Sequence, residues 1–142
     1  MESERRQTVA DPLYDHELSR QVIGCAIEVH RNLGPGLLES AYLRCLGNEM
    51  SMAGLSFQTE LSVPLDYKGV RLDCGYRLDF LVSKFLVVEV KAVDALNPVH
   101  QAQLLTYMKL TNAPLGLLLN FNVGLLKDGI RKCALTTVKA RW

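Results

Sequence analysis

The four cysteines of this chain, Cys25, Cys45, Cys74 and Cys133, lie 20, 29 and 59 positions apart, and no CxxC pair exists among them. That absence excludes a zinc ribbon and a ferredoxin-type cluster. Cys25 and Cys45 fall within helical apolar patterns, where small buried thiols are common, so reduced core cysteines are expected. Also absent is any run approaching the roughly 18 apolar residues of a membrane-spanning helix. Residues 1–15 are polar and of mixed charge, with neither the apolar core of a secretory leader nor a transit-peptide bias. The expectation is a cytoplasmic protein. Repeats, low-complexity tracts and linkers are missing too, which predicts a polar N-terminal tail over 1–15 and a single domain over 16–142.

A charge excess of one sign is likewise missing. Sixteen basic and fifteen acidic residues leave a net +1, so a generic polyanion-binding surface is excluded. The balance hides an asymmetry. Residues 127–142 carry five basic residues against Asp128 alone, while the remainder holds 11 basic and 14 acidic residues. A basic end beside a more acidic body suits a phosphate-contacting edge next to a carboxylate cluster, and equally suits a solvated terminal element. What the chain does have is apolar content. Hydrophobic residues make up 49% of its 142 positions, enough for one well-buried core.

Periodicity orders the elements. Leu18, Val22, Ala26, Val29 and Leu33 recur at steps of three and four, predicting a helix from Asp15, as N-cap, to Leu33. Gly34-Pro35-Gly36 breaks it, and a second helix is expected from Leu37 to Ala53. The period then changes to two. Strands are expected over Phe57–Tyr67, interrupted by Pro64, over Val70–Val82, with a bulge at Gly75, and over Phe85–Val93. Pro98 opens a helix through Leu110, Leu115–Phe121 reads as a central strand, and Ile130–Val138 as a last one. Helix, helix, three strands, helix and strand predict an α/β fold with a mixed central sheet flanked by helices.

Charged residues stand out at the end of the most apolar strand, where a charge needs a reason to be. Glu89 and Lys91 are two apart and share one face of that strand. A two-residue loop at Ser83-Lys84 would set Asp79 opposite Val88, on the wrong face, whereas an odd loop or a bulge sets Asp79 opposite Glu89. The odd register is the expectation. Two carboxylates would then converge on one cation beside an ammonium. Hard divalent cations take such oxygen ligands together with water and a substrate phosphate, and polarise the phosphate for attack by water. Lys91 could orient that water or stabilise charge on phosphorus oxygens. On the following helix His100, Gln103 and Tyr107 share a face. Glu39 lies in the first turn of the second helix and flanks its apolar stripe, where an acid also favours the helix dipole. Glu28 and His30, closing the first helix, could approach a site or face solvent.

Gly36-Leu37-Leu38-Glu39-Ser40-Ala41-Tyr42 resembles the GxxExxY signature of the GxxExxY protein family, assigned to the PD-(D/E)xK nuclease-like superfamily. The resemblance runs from residue 16 to about 127, through Glu28-Val29-His30, Val63 to Gly69, Tyr76-Arg77-Leu78-Asp79, Glu89-Val90-Lys91, His100 to Gln103 with Tyr107, and Asn120-Phe121. It implies a restriction-endonuclease-like αβββαβ core and Mg²⁺- or Mn²⁺-dependent phosphodiester chemistry; the leading expectation is a nuclease acting on DNA ends or on single-stranded or branched DNA, with DNA favoured over RNA. Carried over residue by residue, it makes Glu39, Asp79 and Glu89 metal ligands together with the backbone carbonyl of Val90. Lys91 becomes the catalytic cation. Gln103 and Tyr107 match the QxxxY motif of RecB-like members and, with His100, would position substrate. The cysteine spacing differs from the iron–sulfur pattern of some RecB-like relatives, so neither that cluster nor zinc is expected. The resemblance leaves a homodimer or a protein partner open, and expects no membrane association. A rival reading is a non-catalytic nucleic-acid-binding or assembly module that retains the nuclease fold, and the net charge of +1 favours it.

Overall fold

The structure is a computed structural model and describes residues 16–135. Two helices come first, α1 over Glu17–Leu33 and α2 over Glu39–Met52. Five strands follow: β1 (Phe57–Ser62), β2 (Leu65–Tyr67), β3 (Val70–Leu72), β4 (Arg77–Val82) and β5 (Leu86–Lys91). Then come α3 (Pro98–Thr111), β6 (Leu115–Asn120), a 3-10 turn over Leu126–Gly129, and β7 (Ile130–Ala134). The main sheet has the order β1-β4-β5-β6-β7, while β2 and β3 pair only with each other. Only β5 and β6 run parallel, joined by the α3 crossover, so the sheet is mixed as the sequence predicts.

The sheet separates two apolar layers. Val22, Ala26 and Val29 of α1 and Tyr42, Leu46 and Met50 of α2 pack on Phe80, Val82, Val88, Val90 and Leu117. On the other face Leu104, Tyr107 and Met108 of α3 pack on Leu81, Val87 and Leu118. With both faces covered, β6 buries all six residues and β5 buries all but Lys91. Such strands must be continuously apolar, so Glu89 is an exception that calls for an explanation.

Several boundaries differ from the sequence reading, each for a local reason. The N-cap of α1 is His16, whose Nδ1 accepts the Leu18 N–H at 3.0 Å; Asp15 lies outside the described residues. The second helix opens at Glu39 rather than Leu37, because Leu37 belongs to the preceding loop. Its anchor is Tyr42, fully buried and stacked on Phe121 with ring centroids 4.7 Å apart. The Tyr42 hydroxyl donates to Gly34 O at 2.6 Å and accepts the Leu37 N–H at 3.1 Å. Gly36 donates its N–H to Asn122 Oδ1 at 3.1 Å and sits at φ 101, a conformation open to glycine and strained for other residues. Gly36 and Tyr42 are thus the two pins that set the loop leading into Glu39. Tyr42→Phe is expected to lower stability by about 1–2 kcal/mol, read by urea unfolding, since it leaves both loop groups without their partner.

The two long strands expected over 57–67 and 70–82 are each cut in two. Val63-Pro64 ends β1, since proline cannot donate to a ladder, and residues 73–76 separate β3 from β4. The bulge expected at Gly75 is that interruption. Residues 65–72 consequently leave the main sheet as a separate small hairpin. The last strand ends at Ala134, and the part of the expected strand from residue 136 onward lies outside the described residues.

Candidate active site

Asp79 lies on β4 and Glu89 on β5, and the register decides whether they meet. Val82 pairs with Leu86, Leu81 with Val87 and Phe80 with Val88. The next pair along this register is Asp79 opposite Glu89, the odd register expected from the sequence. Ser83 and Lys84 both take positive φ, at 52° and 55°, and Phe85 N–H closes the turn on Val82 O at 2.9 Å. Phe85 is then the extra residue that shifts pairing by one.

Backbone pairing of β4 with β5 stops at Phe80–Val88, and the two carboxylates take its place. Asp79 N–H donates to Glu89 Oε2 at 2.8 Å, and Val90 N–H donates to Asp79 Oδ2, also at 2.8 Å. Each side chain thereby satisfies a backbone donor of the opposite strand. The other oxygen of each carboxylate carries no hydrogen bond, and no buried side-chain N or O atom among the described residues lacks a partner. These two free oxygens are therefore in reach of solvent. The Val90 carbonyl points to the same side of β5 as its N–H, toward Asp79.

The electrostatics match this crowding. Glu89 is only 6% exposed, and burial, followed by the charge of Asp79, pushes its pKa up to about 8; Asp79 N–H and Lys91 pull the other way. Asp79 is also raised, by burial first and then by Glu39 and Glu60, against the opposing Val90 N–H and Lys91. Without a cation, Glu89 therefore holds a proton near neutral pH. Tyr107 is raised by burial and by the charges of Glu89 and Asp79, so its hydroxyl stays protonated and able to donate.

Other residues singled out in the sequence are placed as follows. Glu39 is exposed in the first turn of α2, and its charge raises both Asp79 and Glu89. Gln103 is exposed on α3. His100 is committed to capping that helix, its Nδ1 accepting the Asn97 N–H at 3.1 Å. His30 is buried, with Nε2 donating to Val123 O at 2.8 Å, while Glu28 pairs with Arg31 on the surface. Both belong to the scaffold. The four cysteines form no disulfide among the described residues, and Cys74 is exposed on the segment between β3 and β4 rather than in a core.

Two residues near the acid pair were given no site role from the sequence, Glu60 and Tyr76. Glu60 is skipped in the β1–β4 ladder, between Thr59–Phe80 and Leu61–Leu78, and sits at φ 51. Its charge reaches Asp79, opposite it across that gap. No sequence signal marks a left-handed residue in the middle of a strand. Tyr76 lies edge-on to Tyr107 with centroids 6.4 Å apart.

The donor set suits a hard cation. Among the described residues, no three His, Cys, Asp or Glu side chains stand close enough to enclose an ion by themselves. Two carboxylate oxygens open to water are, however, the usual protein share for Mg²⁺, which keeps several waters and takes substrate phosphate. Set against known proteins, residues 16–133 match the family model of the PD-(D/E)XK nuclease superfamily. The chain belongs to this superfamily.

Asp79 on β4 faces a Glu-x-Lys pattern, Glu89 and Lys91, on the neighbouring strand β5. The five-stranded mixed sheet with helices on both faces agrees with a restriction-endonuclease-like fold. No curated protein and no solved structure matches the chain at a significant level. Among the described residues no helix is long and apolar enough to cross a membrane.

Proposed function

We propose that this protein is a nuclease of the GxxExxY group that hydrolyses DNA phosphodiester bonds with Mg²⁺ or Mn²⁺. The observation that carries the reading is the reciprocal pair of Asp79 and Glu89, each tied to backbone by one oxygen and open at the other. Asp79, Glu89 and the Val90 carbonyl would hold the cation, with Glu39 reaching it through a water. When bound, that cation would supply charge neutralisation at the scissile phosphate and acidify an attacking water.

The remaining work falls to side chains. The Lys91 ammonium donates hydrogen bonds to the non-bridging oxygens of the phosphate as negative charge grows there. Backbone donors hold Asp79 and Glu89 in one orientation, so no reorganisation is needed when substrate arrives. Tyr107 keeps its phenolic proton and donates to a phosphate oxygen. Gln103 adds an amide donor from the same helix, and His100 offers only its Nε2, since Nδ1 caps α3.

The test is cleavage of labelled linear, single-stranded, flapped and circular DNAs in Mg²⁺ or Mn²⁺. Lys91→Ala is expected to reduce the rate at least about a hundredfold, with the melting temperature kept within a few degrees. Cleavage that survives in Lys91→Ala and in Glu89→Ala overturns the assignment. Nucleic-acid binding without cleavage in any metal favours the non-catalytic module.

A further inference from the structure

The described aromatic side chains are distributed unevenly. Those of Tyr42, Phe57, Phe80, Phe85, Tyr107 and Phe121 are buried or half-buried. Two stand out into solvent, Tyr67 at 56% and Tyr76 at 44% exposure. Both lie in the segment that leaves the main sheet between β1 and β4. Tyr67 closes the β2–β3 hairpin, opposite Val70, and carries the Lys68 ammonium 5.5 Å from its ring centroid. Tyr76 precedes β4, three residues before Asp79, with its backbone held by Val63 N–H on Tyr76 O at 2.9 Å.

Tyr76 is tied to the acid pair by one intermediary. Its ring meets that of Tyr107, and Tyr107 clusters with Leu81 and Val87, on the sheet face that Asp79 and Glu89 share by strand alternation; the charges of both acids also raise the Tyr107 pKa. An exposed aromatic ring thus stands against Tyr107, just ahead of the strand that carries Asp79. The same segment carries basic groups, Arg77 on the next residue and Lys68 and Arg71 on the hairpin, all exposed, beside the acids Asp66 and Asp73. Arg71 is held by Asp66 at 3.5 Å on the hairpin face opposite Tyr67. Exposed rings interleaved with cations are the surface on which single strands bind, because every base has a π-face and every linkage a negative charge. A duplex carries the same charges but offers no free π-face, since its bases are already stacked on one another.

We infer that Tyr76, with Tyr67 and Lys68 on the adjoining hairpin, forms a stacking platform that delivers an unpaired nucleotide to the Asp79–Glu89 site. The inference rests on the nuclease reading and narrows its substrate to single-stranded or flapped DNA. Tyr76 is a positioning residue. It holds the base of the nucleotide whose phosphate lies at the acids and takes no part in bond cleavage.

Binding of a fluorescent single-stranded oligodeoxynucleotide, and of the duplex of the same sequence, tests this by anisotropy. The measurement uses Ca²⁺ and a Lys91→Ala background so that nothing is cut. Adding Tyr76→Ala is expected to weaken single-strand binding about tenfold and to leave duplex binding unchanged. Tyr76→Phe keeps the ring and the affinity. A 2-aminopurine base at the bound position should lose its stacking-induced fluorescence change in Tyr76→Ala and keep it in Tyr76→Phe. Tyr76 is exposed, so an unchanged melting temperature is the folding control. Equal weakening toward both DNAs, no weakening, or no binding of either DNA overturns the platform. The two readings fail separately. Lys91-dependent cleavage of duplex DNA that ignores Tyr76 sinks the platform and leaves the nuclease. Tyr76-dependent single-strand binding with no cleavage in any metal sinks the nuclease and leaves the platform.

Discussion

Glu89→Gln is expected to melt at a higher temperature than the unmodified protein above pH 8 in the absence of divalent metal. The folded protein binds a proton at Glu89 up to about pH 8, whereas the unfolded chain releases it near the ordinary glutamate value of 4.5. The raised pKa means that the ionised form is penalised only in the folded state. That penalty is absent below about pH 4.5, grows as pH rises through the interval, and is complete above pH 8. Glutamine carries no proton to lose, and its side-chain oxygen can still accept the Asp79 N–H. The gain should be on the order of a few kcal/mol at pH 8.5 and vanish at pH 4.5. A melting-temperature series from pH 4.5 to 9 reads it. A difference that is constant with pH would show that Glu89 ionises normally.

The same substitution separates stability from function. Millimolar Mg²⁺ should raise the melting temperature of the unmodified protein and close the gap to Glu89→Gln, because a cation at the site replaces the proton. Calorimetry in two buffers of different ionisation enthalpy should detect proton release on Mg²⁺ binding at pH 7, with none in Glu89→Gln. Cleavage by Glu89→Gln should fall by at least about a hundredfold. A protein that is more stable and inactive at once would show that the buried charge is retained for chemistry and not for folding.

Gly129→Ala carries the largest expected loss of stability. A Cβ there would stand 2.1 Å from Asn120 O, a backbone atom at the end of the central strand. Neither side can yield cheaply, since Asn120 is buried and fully engaged. Its Oδ1 accepts the N–H groups of Val93 and Asn122, and its Nδ2 donates to Val93 O. We expect a cost of about 3 kcal/mol or more and a melting temperature lower by about 10 °C. The damage should reach the site as well, because Val93 follows Lys91 by two residues and Asn120 pairs with Lys91 across the β5–β6 ladder. Circular dichroism melts of Gly129→Ala beside Gly124→Ala, where a new Cβ meets nothing within 4 Å, provide the control.

The order of elements and the acidic pair were legible in the sequence because both depend on local period. An apolar stripe at steps of three and four can be buried only as a helix. The run Leu115–Phe121, apolar at every position but Asn120, can be buried only between layers. Glu89 stood out for the same reason, a charge two residues from a lysine at the end of a strand that excludes charge. The placement of Asp79 opposite Glu89 followed from strand parity once an odd turn was assumed, and Ser83, Lys84 and Phe85 supply that turn.

Long-range pairing was beyond reach of that reasoning. The residues from 57 to 82 read as two long strands because alternation alone does not reveal which partner a strand takes. Only the tertiary structure detaches residues 65–72 as a hairpin and joins β1 directly to β4. The same pairing puts Glu60 across from Asp79 and Tyr76 against Tyr107, contacts that span 19 and 31 positions of the chain. Burial on both faces of the sheet, a property of the packed layers alone, raises the Glu89 pKa and makes its proton exchangeable for a cation. Sequence by itself determined which residues could do chemistry, through residue type and local period. The tertiary structure decided which of them meet and how strongly each holds its proton, because proximity and desolvation arise only when distant segments pack together.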